Sequence, residues 1–432
     1  MNSLSKTLLA GFVFASINVT FADPHPKTPR TDCTEVALKE LAWKIHDNSL
    51  TIDTHMDVPI VLRRPGFDIS KEHSWYGHAS QVDFPRLRKG GLDGGFFVVY
   101  VPQGELTYEG RKHAISEGKK ITQLILDTVA KNSDESGLAT TEAEAEALRK
   151  EGKITVFMGI ENGYTIGRNL DLLKTYYDMG VRYFGVTHSK NNDLADSSTD
   201  SKGNLHMGLS DLGKAAIDEC NRLGMMIDIS HSSDKTTWDI LKYSKAPVIA
   251  SHSGCHSCHP HPRSLNDSLL KEIAARGGVV QMNLFSSYMM KTEPNEERSK
   301  AFKAWFENYR NGKELTDGEK LQSVEERIAI EKNHPKQLTT LEAAVDHIDH
   351  MVDVMGIDHI GISGDFDGGG GVKGANDVGE MMNITIEMLR RGYSADDMKK
   401  FWGGNVMRVL NECEKVALEM APKEDDQNED KT

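Results

Sequence analysis

A closed (β/α)8 barrel is the fold this 432-residue sequence predicts, and three observations lead to it. Eight short runs rich in β-branched and aromatic residues alternate with helical patterns, an order that gives parallel strands joined by crossover helices. Their number matches that of a closed barrel. Six of the eight runs finish on a histidine or an acidic side chain, at the end where such barrels carry their reactive groups.

The runs cover residues 50–55, 95–101, 154–161, 182–188, 225–231, 248–252, 279–283 and 359–365. The first runs into Asp53-Thr54-His55-Met56-Asp57. Side chains two apart on a strand share a face, so His55 and Asp57 point together, a nitrogen and an oxygen donor suited to one divalent metal. Asp53 shares that face one layer deeper, as a support for the ligands or as a satisfied core carboxylate. His73 and His78, in the loop that follows, read as rim or surface groups. The later runs end on Glu161, His188, His231, His252 and Asp365.

The helices carry their own signals. Ser210 is a natural N-cap for the periodic run to Leu223, with Gly224 as its stop, and residues 341–355 repeat the pattern before Gly356. His347 and His350 sit at i, i+3 spacing and imitate a ligand pair. Their helix runs away from the barrel mouth, so packing is the expected role. Segment 288–340, after the seventh strand, is longer than usual connections and combines high charge with Phe302, Trp305, Phe306 and Tyr309. It reads as an inserted helical excursion over the mouth or at a subunit contact, or as solvated decoration.

Residues 1–22 combine one lysine, an apolar run and mainly small or β-branched residues, the pattern of a signal peptide. Export to the periplasm or the medium follows, with a barrel domain over 23–422 and a disordered acidic tail at 423–432. No later segment offers the ~20 apolar residues of a transmembrane helix. The 51 basic against 65 acidic side chains leave a formal charge of -14, which argues against nucleic acid as a partner. A small molecule or peptide fits better, and a homodimer stays open. Five cysteines cannot all pair within one chain. Cys255 and Cys258 form a CxxC in a histidine-rich loop, readable as a local disulfide, plain thiols, a redox pair or an extra metal site.

Three imidazoles and two or three carboxylates are too many for one tetrahedral zinc that keeps an open position, whereas two metals fit the count. Glu161 is the natural bridge, giving one oxygen to each of two ions ~3.5 to 4 Å apart. His55 and Asp57 then serve one ion, and His231 and His252 the other.

The chain resembles the renal, or membrane, dipeptidase family of metallopeptidases. The likeness lies in Asp53-Thr54-His55-Met56-Asp57, Gly159-Ile160-Glu161-Asn162-Gly163, Val186-Thr187-His188-Ser189, Gly208-Leu209-Ser210, Asp228-Ile229-Ser230-His231, Pro247-Val248-Ile249-Ala250-Ser251-His252-Ser253 and Gly364-Asp365-Phe366-Asp367-Gly368. It implies a barrel of the metal-dependent hydrolase type with two zinc ions, cleaving dipeptides by a metal-bridging hydroxide. Carried over by position, it assigns His55, Asp57, Glu161, His231 and His252 to the metals. It gives His188 to the oxyanion, Arg263 and Tyr288 to the substrate carboxylate, and Asp365 to proton transfer. Arg263-Ser264-Leu265-Asn266-Asp267 departs from the family's usual asparagine and proline after the arginine. Two rival readings are another amidohydrolase-like binuclear metal hydrolase and a non-catalytic exported metal-binding protein.

Overall fold

The computed structural model describes residues 29–30, 34–75, 79–309 and 315–422. The expected signal peptide, Cys33, His78 and the acidic tail lie outside them.

Eight strands, β1 (Ile52–Met56), β2 (Gly94–Tyr100), β3 (Ile154–Glu161), β4 (Val181–Gly185), β5 (Met226–Asp228), β6 (Val248–Cys255), β7 (Val279–Asn283) and β8 (Ile360–Ser363), lie side by side in chain order, every pair parallel. Short strands Ser136–Leu138 and Ser264–Leu265 flank β3 and β6. A parallel bridge between Met56 and Phe366, with Asp57 N donating to Phe366 O at 2.8 Å, draws the first and last strands together. Asp53 reinforces the seam. Its carboxylate accepts from His55 N at 3.0 Å and from Gly364 N at 2.8 Å, so one buried side chain ties β1 to the turn after β8. Both of its oxygens are thereby satisfied by backbone.

Phe96, Phe157, Tyr183, Met226, Ile249 and Val279 form one cluster, with Val406, Val409 and Leu410 of helix Asn405–Met420 packed against it. The strands' other faces join the crossover helices in a larger cluster, as an amphipathic outer ring requires. Helix Asp211–Leu223 begins where Ser210 Oγ accepts from Gly213 N at 2.9 Å, and it stops at Gly224, which takes the left-handed conformation. Helix Leu341–Met355 ends at Gly356, whose φ of 80° is also positive.

Several strands end earlier than their sequence runs. β4 stops three residues before His188 and β5 three before His231, because the chain turns sharply there instead of continuing extended. His231 and Asp365 both have positive φ, 68° and 50°, uncommon for side-chain-bearing residues and frequent where a functional group must be re-aimed. β6 runs further than expected, through Cys255.

The insertion after β7 holds two helices, Glu296–Tyr309 and Asp317–Asn333, packed on each other. Trp305 Nε1 donates to Ser323 O at 2.8 Å and Tyr309 Oη to Glu326 at 2.7 Å, while Arg298 pairs with Glu331. The pair is anchored on the loops at the strands' C-terminal ends. Arg327 lies over the Trp75 ring, and Lys336 Nζ donates to Gly369 O and Gly370 O at 2.9 and 2.7 Å. These contacts set the two helices beside the loops that follow β1 and β8.

Candidate active site

The candidate side chains converge where the strands end. Glu161, the last residue of β3, stands at the centre. Its Oε1 lies 2.9 Å from His231 Nε2 and 3.3 Å from His252 Nε2, and those two nitrogens are 3.0 Å apart. The longest of these spacings equals the ~3.3 Å edge of a tetrahedron built from ~2.0–2.1 Å metal bonds, and the other two are shorter by a few tenths of an ångström. Its Oε2 is 3.8 Å from His55 Nε2, which lies 3.6 Å from Asp57 Oδ2. One carboxylate thus faces two donor sets, as a bridge would.

Other groupings also fall within reach. Asp365 approaches His55 and Asp57, and His188 approaches Glu161 and His231 closely enough for either to join a ligand set. The distances by themselves therefore leave the division of labour between ligands and catalytic groups to be argued from chemistry.

Burial and orphaned atoms supply that chemistry. His55, Asp57, Glu161, His231 and His252 are all buried, yet His55 Nε2 and Asp57 Oδ1 have no hydrogen-bond partner among the described residues. Leaving buried polar atoms unmatched costs ~1–3 kcal/mol each, so a centre with such atoms is built to receive something else. A nitrogen and oxygen donor set of this kind fits divalent zinc. Burial pushes the Glu161 carboxyl up to about 8. Burial presses the His55 imidazole down, but the charges of Glu161 and Asp57 outweigh it and lift the group to about 10. The pocket is thus hungry for positive charge, and His55 holds a proton where a cation would satisfy it better. His231 and His252 fall well below the ordinary histidine value, chiefly through burial, so both imidazoles are neutral.

The rings are aimed by partners behind them. Ser251 Oγ donates to Asp228 Oδ2 at 2.6 Å and lies 2.8 Å from His252 Nδ1, so the proton of His252 sits on Nδ1 and Nε2 keeps its lone pair for a metal. Tyr183 Oη donates to Thr54 O at 3.3 Å and faces His55 Nδ1 at 3.1 Å, so Nδ1 carries a proton and Nε2 is the atom a metal would take in place of the second one. The Tyr183 ring fits only because residue 159 is glycine, whose Cβ would meet that ring at 2.1 Å. Gly368 is required in the same sense, since a Cβ there would lie 2.0 Å from Asp57 Oδ2. Asp228, Tyr183 and Ser251 went unmarked as site residues in the sequence. Asp228 and Ser251 lie in the stretches that carry the family resemblance, and Asp228 is an acidic residue on an otherwise apolar strand.

His188 is the most open of the four imidazoles, its side chain 20% exposed against 8% or less for the others. Burial first, then the nearby Arg263 charge, bring it down to about 3, so it is neutral and can donate a hydrogen bond. Asp365 accepts from Asn283 Nδ2 at 2.9 Å, and burial raises it to about 6. Arg263 is buried, donates through Nη2 to His252 O at 3.0 Å and leaves Nε without a partner. Its guanidinium lies 5.7 Å from the Tyr288 ring centroid. The residues after Arg263 have a definite structure. Ser264–Leu265 pairs with the end of β6, and Asn266 caps helix Asp267–Ala275 by accepting from Ser268 N and Leu269 N.

A polar cavity of about 360 Å³, lined in part by Ser198, Asp234, His256 and His261, adjoins this centre through His261, which stacks on Tyr288. None of the nine candidate residues lines it.

A family model described as membrane dipeptidase, peptidase family M19, matches residues 39–424. The dipeptidase verJ of Clonostachys rogersoniana is 31% identical over 379 residues, 85% of each chain. The dipeptidase tcpJ of Claviceps purpurea is 32% identical over 344 residues, 78% of this chain and 71% of the relative. Among solved structures, the probable dipeptidase PvdM from Pseudomonas aeruginosa is 29% identical with a TM-score of 0.74, over 88% of this chain and 99% of that one.

Proposed function

The chain belongs to the membrane dipeptidase family, a metal-dependent dipeptidase family, and on that footing we propose that two zinc ions serve its hydrolysis of dipeptides. His55, Asp57 and Glu161 would hold one ion, and Glu161, His231 and His252 the other. The observation that carries this reading is the convergence of buried donor atoms on both oxygens of Glu161, with His55 Nε2 and Asp57 Oδ1 left without a hydrogen-bond partner among the described residues. When bound, the ions would supply Lewis acidity, lowering the pKa of the attacking water and polarising the scissile carbonyl.

The remaining work falls to the chain's own groups. His188 is neutral and partly open, so it can donate to the oxygen on which negative charge develops. Asp365, raised by burial to about 6, can take a proton near neutral pH and return it to the leaving amine. Asn283 holds one of its oxygens in place. The unpartnered Nε of Arg263 is a buried donor awaiting an acceptor, and a substrate's free α-carboxylate fits. Tyr288 stands beside it. A carboxylate held there limits the substrate to one residue beyond the scissile bond.

Metal analysis of the purified protein, combined with assays on a dipeptide, a tripeptide and an N-acetyl-dipeptide, tests the reading. Activity should require about two zinc ions in this centre, vanish with chelator and be confined to the free dipeptide. Full activity at one equivalent or none would overturn it. No described helix is long and apolar enough to cross a membrane. The apolar run within residues 1–22 supports the further proposal of export to the periplasm or the medium. N-terminal sequencing of the mature protein, expected to begin near Asp23, checks it.

A further inference from the structure

A second group of ligand-type side chains lies outside the centre around Glu161. Cys255 ends β6, and the turn after it, in which His259 N donates to Cys255 O at 3.3 Å, brings Cys258 back beside it. Both are free thiols, with sulfurs 3.1 Å apart. Helix Leu341–Met355 contributes His350, and one ligand atom from each of the three residues lies within 4.8 Å of the others. The expected packing role of His350 therefore gives way to a position facing two thiols. The ring is fixed from the side, because Asp267 Oδ1 lies 3.0 Å from His350 Nε2 and accepts from Ser257 Oγ at 2.8 Å. A carboxylate orienting an imidazole in this way commonly accompanies metal ligation.

We propose that Cys255, Cys258 and His350 form a third metal site, separate from the Glu161 centre and selective for a thiophilic divalent cation of the zinc type. Two sulfurs and one imidazole nitrogen suit zinc, with bonds of ~2.3 and ~2.0–2.1 Å, and discriminate against magnesium or calcium, which take oxygen. The sulfurs would need to part by roughly 0.7 Å to reach the edge of a tetrahedral thiolate pair, a movement within reach of the exposed Cys258 side chain. A bare CxxC disulfide would need neither the imidazole nor the carboxylate behind it. The consequence is structural. The ion would tie the loop after β6 to helix Leu341–Met355, and Arg263 lies on that loop five residues beyond Cys258.

Cobalt(II) gives the test, since a thiolate-to-cobalt charge-transfer band in the near ultraviolet reports a sulfur site and is silent on a centre of nitrogen and oxygen ligands. Full-length reduced protein, the Cys255 and Cys258 thiols confirmed by titration against Cys255→Ser and Cys258→Ser, should show the band with one equivalent of cobalt beyond those held at the Glu161 centre. Cys258→Ser, at an exposed position, should abolish the extra equivalent and the band, and His350→Gln should weaken cobalt binding by at least tenfold. Cys255→Ser should act as Cys258→Ser does, but its burial makes the exposed variant the deciding one. Absence of the band in reduced wild type, a band that survives in Cys258→Ser, or undiminished affinity in His350→Gln would each overturn the proposal. A wild type isolated as the Cys255–Cys258 disulfide that binds no cobalt after reduction would identify the pair as a plain disulfide. Because the band is blind to the Glu161 centre, its failure leaves the dipeptidase reading untouched, and the reverse also holds.

Discussion

Arg263 donates through Nη2 to the main-chain oxygen of His252 at 3.0 Å, which fixes a buried guanidinium beside the proposed metal ligands to the strand that carries one of them. The arginine is thus positioned by the same backbone that aims His252, a proposed metal ligand. Its Nε has no partner, and the Tyr288 ring stands alongside.

The first prediction follows from that contact. A charge-assisted bond to a carboxylate is worth ~1.5 to 3 kcal/mol, roughly 10- to 150-fold. Amidating the C-terminus of a dipeptide should lower kcat/KM by at least that factor in the wild type. In Arg263→Ala the free dipeptide loses the same contact, so the difference between free and amidated substrate should nearly close. Equal cleavage of both by the wild type, or undiminished discrimination by the variant, would show that another donor reads the carboxylate.

Asp365 lies close enough to His55 and Asp57 to serve as a ligand, yet its hydrogen bond from Asn283 and its raised pKa suit proton transfer. As a general acid-base group its loss should cost ~10²- to 10⁴-fold in rate. Asp365→Asn should depress kcat with metal content close to wild type. Parallel metal analysis decides the matter, and an Asp365→Asn protein that arrives depleted of zinc makes the residue a ligand.

Ser251 links the buried Asp228 carboxylate to His252 Nδ1. Removing such a support typically lowers metal affinity roughly 10- to 100-fold. Ser251→Ala should do so at the ion held by His231 and His252 while sparing the ion at His55 and Asp57. Titration against a competing chelator measures both steps, and two unchanged affinities would remove Ser251 from the design.

His46 offers a pH prediction away from any metal. Its Nδ1 donates to Gly91 O at 2.8 Å and its Nε2 lies 2.7 Å from Thr385 Oγ1, which also accepts from Trp402 Nε1. Burial depresses the group from 6.5 to about 4. The folded state therefore binds the proton less readily than the unfolded chain. Its contribution is whole above pH 6.5 and is lost as pH falls from there toward 4. At 1.36 kcal/mol per unit, the loss between pH 7 and 5 is about 2 kcal/mol. Urea unfolding of wild type and His46→Gln at both pH values should show the wild type losing about that much more. Parallel losses in the two proteins would contradict it.

Much of the barrel was legible in the chain, and for a simple reason. Buried parallel strands need apolar runs and crossover helices need periodic stripes, and both are local patterns. The end of a strand was less legible. His188 and His231 read as strand residues but sit beyond β4 and β5, since a turn with positive φ at His231 is set by where the neighbouring strands stop. The insertion showed its charge and its aromatics in the sequence, but its anchoring through Lys336 on Gly369 and Gly370 joins residues more than thirty positions apart.

The sequence by itself determined the eight-fold alternation, the candidate ligands and the resemblance that assigned Arg263, because these depend on residue type and order. Only the tertiary structure decided which atoms meet. It set Asp53 across the barrel seam, Tyr183 in the space left by Gly159, Asp228 behind Ser251, and His350 against Cys255 and Cys258, distant from both in the chain. The physical reason is the same in each case. A hydrogen bond or a ligand set depends on a separation of a few ångströms between side chains far apart in the chain, and the closing of the barrel sets that separation.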